Sequence, residues 1–395
     1  MTKKLILLLL LIPTLAACSN DGRETPRPEA YEPDLLVIET EYEGLPEAEL
    51  PSSELYSEEP SEPVVPDDVE EPSEINEGLN AEDSLDALTP LHSNINGAIH
   101  RVQYGDNVAY IFGTLHAGHA HWFPLAPIVE DALSRADVVA MEVAEIAGGE
   151  AAMAVPMLSS MFLPDGNAWD DILPEAEYNH LVAMAEAWGI PYGVVNRWNP
   201  NFFVYHLTMT LMMEMSELDF DIDASVDSYI AQIATERDVP VIGLESIEQQ
   251  MDIVFNPPFE VMLASIMHLL SPDDMIEYFM ASNVLSLDEM AYHYESNNFS
   301  IINADISYEL GVDSTYADCL YVIYMRDMVS NWRSTYYANA IARLLTETDE
   351  PTTFFVAVGL SHIIRSGAGE EFTDIVYELQ LMGFYVDPIW ERAGA

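Results

Sequence analysis

From about residue 87 to the end of the chain, short runs of apolar residues alternate with longer stretches of helical spacing. Residues 100–104 and 108–112, on either side of Gly105-Asp106-Asn107, predict two strands joined by a tight turn. Residues 125–136 have the spacing of an amphipathic helix, and 137–143 form a brief apolar run suited to a buried strand. Residues 151–215 read as several helices broken at Pro156, Pro164, Gly189-Ile190-Pro191 and Asn199-Pro200. Their many methionines and aromatics fit either a groove lining or plain core, and helical spacing favours core. A helix over 225–237 leads to a strand over 239–244 that stops at Glu245. Helices fill most of 247–346, with caps at Ser271-Pro272-Asp273 and Ser286-Leu287-Asp288-Glu289. Residues 353–358 are a clear buried strand, followed by a helix over 370–382 and a closing strand over 384–386. Strands separated by helices predict the α/β class, a central mixed sheet surrounded by many helices.

Before residue 87 this pattern is missing. Lys3 and Lys4, an apolar run over 5–12 and Leu15-Ala16-Ala17-Cys18 read as a lipoprotein signal peptide over 1–17, with Cys18 acylated. Residues 18–86 are rich in Glu, Asp, Pro and Ser, and predict an extended, disordered spacer. Leu35-Leu36-Val37-Ile38 is the one apolar patch within it. The expected organisation is therefore leader 1–17, acidic linker 18–86 and domain 87–395, held by lipid on the outer side of a membrane. No later stretch approaches ~20 uninterrupted apolar residues, so lipid rather than a spanning helix is the expected anchor. Cys319 is then the remaining thiol, which excludes an intrachain disulfide and suits a small buried hydrophobe.

Charge narrows the partners. Sixty-eight acidic residues against 13 Lys+Arg give a formal net charge of -55, which repels phosphate backbones and anionic lipid headgroups. Nucleic acid is excluded as a partner; oligomeric state is left open.

The candidate chemistry lies at strand ends. Two predicted strands, far apart in the chain, run into Gly113-Thr114-Leu115-His116 and Gly359-Leu360-Ser361-His362, the same Gly-x-x-His pattern. Two others run into Glu142 and Glu245. Open α/β sheets place sites at this edge, where the sheet fixes direction and the loops are free to vary. Gly113 and Gly359 would allow a sharp turn or a close approach to a bound group. Paired imidazoles beside carboxylates suit a borderline divalent cation and hydrolysis, with hydrogen-bonded structural histidines as the plainer reading.

Tyr110 to His116, the strand ending on Glu142, Val226-Asp227, Leu244-Glu245-Ser246, Arg326-Asp327 and Val358 to His362 occur in an order that resembles TraB/GumN proteins, over about residues 97–390. That family looks related to the TIKI metallopeptidases and, more distantly, to erythromycin esterase (EreA) and ChaN-like proteins. The resemblance implies an α/β sheet with two pseudo-repeats and a metal site built on His116, His362 and Glu142, with Glu245, Asp227 and Arg326 close by. Ser225 and Arg365 stand where the family usually has glycine, and Asp327 where it often has asparagine, which leaves substrate choice open.

The expected mechanism has His116, His362 and Glu142 holding manganese, cobalt or zinc, while Glu245 or Asp227 orients a ligand or accepts a proton from water. Arg326 would face a peptide carboxylate or a developing oxyanion. Glu142 and Glu245 pairing with Arg326 as a structural ion network, and Asp227 as a helix first-turn charge, are the duller alternatives. His119 and His121, in the loop just after His116, offer further metal ligands or a proton shuttle, with a supporting or surface role as the favoured reading. The function expected is a metal-dependent, peptidase-like hydrolase of the cell envelope, acting on a peptide or small molecule. The alternative is a pheromone-shutdown type lipoprotein that binds such a ligand without turnover.

Overall fold

The computed structural model describes residues 95, 97–148, 150–163, 166–217, 220, 225–267, 271, 273–274, 276, 285–303, 320–364 and 372–389, all in the unit Gly78–Ala395. The expected leader, Cys18, the acidic linker, Pro164, Cys319 and Arg365 lie outside them.

Six strands form one mixed sheet: β1 (Ile99–Tyr104), β2 (Asn107–Thr114), β3 (Val138–Met141), β4 (Val241–Gly243), β5 (Thr353–Gly359) and β6 (Val386–Pro388), in the order β4-β3-β5-β2-β1-β6. β1 and β2 are the hairpin read from the alternation, in register from Ile99↔Phe112 to Tyr104↔Asn107, with Gly105 at φ 57° in the turn. β2, β5, β3 and β4 run parallel, so their C-terminal ends share one edge. The parallel strands are nearly continuous apolar runs because helices cover both faces. β5 is buried from Phe354 through Gly359.

Local sequence explains the covering helices. Ser225 caps Val226–Glu236 by accepting from the Ser228 amide. Ser286 and Glu289 form a reciprocal capping box at the start of Leu287–Glu295, each satisfying an amide the helix end leaves open. The Arg333–Glu347 helix buries Tyr337, Ala338, Ile341 and Leu345 on one stripe against β1 and β2, which carries Arg333 and Ser334 into the interior. A separate apolar cluster around Trp169, Leu181, Trp188 and Phe203 holds the helices of 163–211 together, so those aromatics are core.

Three predicted boundaries change. The helix Glu150–Ser160 continues through Pro156, because proline removes only one amide donor and helical bonding resumes beyond it. The last helix is Ile375–Leu381, started by Asp374, whose carboxylate accepts the Tyr377 amide at 2.7 Å. The closing strand is Val386–Pro388 rather than 384–386: Phe384 donates its amide to Leu379 in the helix C-terminal turn, so pairing with β1 begins at Val386. Among the described residues no helix is long and apolar enough to cross a membrane.

Candidate functional site

The parallel register brings Thr114 of β2 opposite Gly359 of β5, so both Gly-x-x-His segments leave the sheet side by side. Around the position a Cβ on Gly359 would occupy stand Glu142 Oε1 at 3.2 Å, His116 Nε2 at 3.6 Å and His362 Cδ2 at 3.7 Å. The expected convergence of the two imidazoles beside Glu142 is therefore what the fold produces.

The two glycines serve space rather than an unusual backbone, since neither adopts a positive φ. A methyl on Gly113 would strike Leu360 Cδ1 at 2.7 Å and its Cα at 3.2 Å; one on Gly359 would project among the three polar groups. Of the two roles expected for them, a sharp turn or a close approach, the turn is not what the backbone needs: Gly113 allows close packing against Leu360, and Gly359 leaves room among Glu142, His116 and His362.

Each imidazole is held from behind. His116 Nδ1 lies 3.0 Å from Asp227 Oδ2, and Asp227 Oδ1 accepts the Thr114 hydroxyl at 2.7 Å. A carboxylate only accepts, so His116 carries its proton on Nδ1 and turns Nε2 to the centre. The Ser334 hydroxyl donates to the Ser330 carbonyl at 2.8 Å, one helical turn back, so its oxygen accepts from His362 Nδ1 at 2.9 Å. His362 Nε2 is then directed toward Glu142 Oε1, 3.9 Å away. Asp227 does sit in the first turn of its helix, but it is buried and spends both oxygens on the site.

Glu142 and Glu245 follow β3 and β4, and the guanidinium between them belongs to Arg333. Its Nη2 donates to Glu142 Oε2 at 2.8 Å and to Glu245 Oε1 at 2.6 Å, and the Tyr337 hydroxyl donates to Glu245 Oε1 at 2.6 Å. Arg326, expected there, instead pairs with its neighbour Asp327 at 2.7 Å on a π-helical segment, Met325–Trp332. Glu142 also accepts the Gly359 amide at 2.7 Å and the Gln250 side chain at 3.0 Å. Burial alone would raise the Glu142 pKa, but Arg333, His362, His116 and the Gly359 amide together bring it down to about 2. It is anionic at any neutral pH. Among the described residues no three His, Cys, Asp or Glu side chains stand close enough to hold one ion as they are placed.

A family model described as the TraB/PrgY/gumN family matches residues 98–383, well over half of the chain. The chain belongs to the TraB/PrgY/gumN family. Neither the curated proteins nor the solved structures give a match. In this TraB/PrgY/gumN domain, Arg333, Ser334, Tyr337 and Gln250 complete the site, and none carries a sequence signal beyond membership of a helix. Two strand-end acids in apolar runs were the clue that a buried cation was owed.

Asp227 raises the His116 pKa from 6.5 to about 9, against the opposing effect of desolvation. His116 is 55% exposed, crowded by protein yet open to water. Its folded pKa lies above the unfolded value, so the stability this pair contributes is complete below pH 6.5 and is lost as pH rises through about 9. Asp227→Asn is expected to return the His116 titration toward 6.5, followed by NMR of the ring protons. A midpoint that stays near 9 in that variant would show that another group holds the proton.

Proposed function

We propose that this protein is an extracytoplasmic, lipid-anchored hydrolase of peptide or amide bonds, acting at the His116–His362–Glu142 centre with a divalent cation. Support comes from one observation above all: two imidazoles from distant parts of the chain converge on one glycine beside Glu142, each with Nδ1 already committed. That donor set, two nitrogens beside an anionic oxygen, fits a borderline metal in chemistry and tautomer. His116, His362 and Glu142 would hold the ion, which when bound supplies a Lewis acid that polarises a carbonyl and acidifies water.

The chain's own groups do the rest. Asp227 and Ser334 keep both rings in the tautomer that offers Nε2. Arg333 balances Glu142 and Glu245, so that the centre is not overloaded with negative charge, and Tyr337 fixes Glu245. Because His116 keeps its proton up to about pH 9, cation binding should strengthen as pH rises toward that value. The kinship to erythromycin esterase (EreA) and ChaN-like folds belongs to this reading as well.

A ligand-binding lipoprotein without turnover is the second reading. It is favoured by the Glu142 carboxylate, already engaged by Arg333, Gln250 and the Gly359 amide. The deciding experiment is elemental analysis of protein purified without chelators, beside a peptide screen with manganese, cobalt or zinc. The hydrolase reading expects His116→Ala/His362→Ala to lose metal and turnover together while remaining folded. Equal metal content in both proteins and no peptide cleaved would leave the binding reading.

A further inference from the structure

The groups that hold the His116–His362–Glu142 centre from behind are polar, but one flank of it is apolar. An apolar cluster begins at Val143, directly after Glu142, and joins Phe202 of the Pro200–Met215 helix to Met251 and Phe255 of the Ile247–Phe255 helix. The second of these helices reaches the centre itself, since its Gln250 donates to Glu142 Oε2 at 3.0 Å. Phe202 and Tyr205 lie about one turn apart on the first helix and meet the same ring. The Phe202 and Phe255 centroids are 5.1 Å apart, and those of Tyr205 and Phe255 are 5.8 Å apart at an interplanar angle of 71°. The loop imidazoles take no part on this flank: His121 Nε2 lies 2.9 Å from Glu295 Oε1, and His119 packs against His121 and Phe220.

Phe202 is buried, but Tyr205 is 42% exposed, so the aromatic row ends at a phenol that is crowded by neighbours yet open to water. Ile146 and Met161, half-buried and packed against the same cluster, extend this apolar rim. Ile146 lies in the short helical segment Ala144–Gly148 that leaves β3, which sets the rim at the sheet edge where both Gly-x-x-His segments emerge. The Tyr205 hydroxyl meets charge as well as water. Burial pushes the phenol above its ordinary 10, and Glu142 and Asp227 add to the rise against the opposing effect of Arg333. Glu142 stands beside Gly359 and Asp227 behind His116, so a phenol that feels both lies toward the space between them. It keeps its proton at neutral pH and is a hydrogen-bond donor there.

We propose that Tyr205 seats the substrate over the His116–His362–Glu142 centre: its hydroxyl donates to a backbone carbonyl of a bound peptide, and its ring, with Ile146 and Met161, takes an uncharged apolar side chain beside that carbonyl. This rests on the proposed centre being the working site, and it narrows the ligand to peptides with a large apolar residue next to the group held there. An aromatic ring with a polar tip suits the task, because it gives contact area and a directed hydrogen bond at little cost in conformational freedom. Charge points the same way: a chain of net charge -55, with Glu142 and Asp227 at the centre, repels an acidic peptide. A hydrolase and a binding protein would both use the contact, since positioning precedes any bond breaking.

The test is calorimetric titration of the full chain with a blocked tetrapeptide carrying two central leucines, beside its counterpart with two central aspartates. Neither Tyr205 contact uses a metal, so a chelator is present to prevent cleavage. The parent is expected to bind the leucine peptide at least ~10-fold more tightly than the aspartate one. Tyr205→Phe should weaken leucine-peptide binding by ~3–10-fold and keep the preference, since only a hydrogen bond is lost. Tyr205→Ala should weaken it by ~30-fold or more and reduce the preference, since the ring is lost as well. The phenylalanine variant keeps the ring, so it remains readable if the alanine variant does not fold. Equal affinity of parent and variants for the leucine peptide, no preference over aspartate, or no binding of either peptide by the parent would overturn the proposal. Failure of the hydrolase reading looks different: protein supplied with manganese, cobalt or zinc would bind the leucine peptide with the same dependence on Tyr205 and leave it intact.

Discussion

Arg333→Leu is expected to destabilise the domain by about 3–5 kcal/mol, because it leaves two buried carboxylates without their counter-charge. Arg333 is 6% exposed, Glu142 5% and Glu245 fully buried, so water cannot take over the guanidinium's role. The variant's pH dependence makes the prediction specific. In the parent, the Glu142 pKa of about 2 lies below its ordinary 4.5, so its contribution is complete above pH 4.5 and is lost as pH falls toward 2. Without Arg333, burial dominates and raises the Glu142 pKa, so the ionised carboxylate opposes folding at neutral pH. Urea titrations of the two proteins should therefore differ most near pH 7 and converge only as pH falls toward 2. A loss that is the same at every pH would mean the leucine disturbs packing alone.

Such an ion network is a poor device for stability by itself. Well-packed apolar side chains of similar volume often do as well or better, by roughly 1–4 kcal/mol. Its position argues for function: Glu142 touches Arg333 on one oxygen and the open centre on the other, so the pair sets the charge of the place where both imidazoles point.

How much of this could be read from the sequence follows from which interactions are local. The strands that carry the Gly-x-x-His segments and Glu142 are apolar runs, visible without any knowledge of partners, and parallel pairing then puts their ends on one edge. The capping box at Ser286 is likewise local. Arg333 is not. Arg326 and Arg333 are separated by about two helical turns and would share one face of a regular helix. Only the position along the axis separates them, and it depends on the π-helical stretch Met325–Trp332 and on where Tyr337 and Ile341 meet the sheet. Pattern reading gives a face, and the partner of two strand-end acids needs a height. The Glu295 contact to His121 and Trp122 was illegible for a related reason: Glu295 ends an amphipathic helix, where a glutamate ordinarily faces water, and only the tertiary path of the loop buries it.

Gly359→Ala is expected to separate folding from function at the His116–His362–Glu142 centre. The backbone at this position is ordinary, at φ -51°, so alanine is conformationally acceptable and restricts the unfolded chain, a gain of about 0.4–1 kcal/mol. The new methyl meets no backbone: its nearest contact is Glu142 Oε1 at 3.2 Å, which must yield by a few tenths of an ångström. These opposing effects should leave stability within ~1 kcal/mol of the parent. The methyl nevertheless occupies the point that His116 Nε2 and His362 also face, so any cation, water or substrate atom held there is displaced. Displacement of that atom by about 1 Å should lower turnover or ligand affinity by ~100-fold. Thermal melting beside metal or peptide binding on the same preparation would test it. A variant that keeps full binding and activity would move the working centre away from Gly359, and the two imidazoles would then be structural groups rather than ligands.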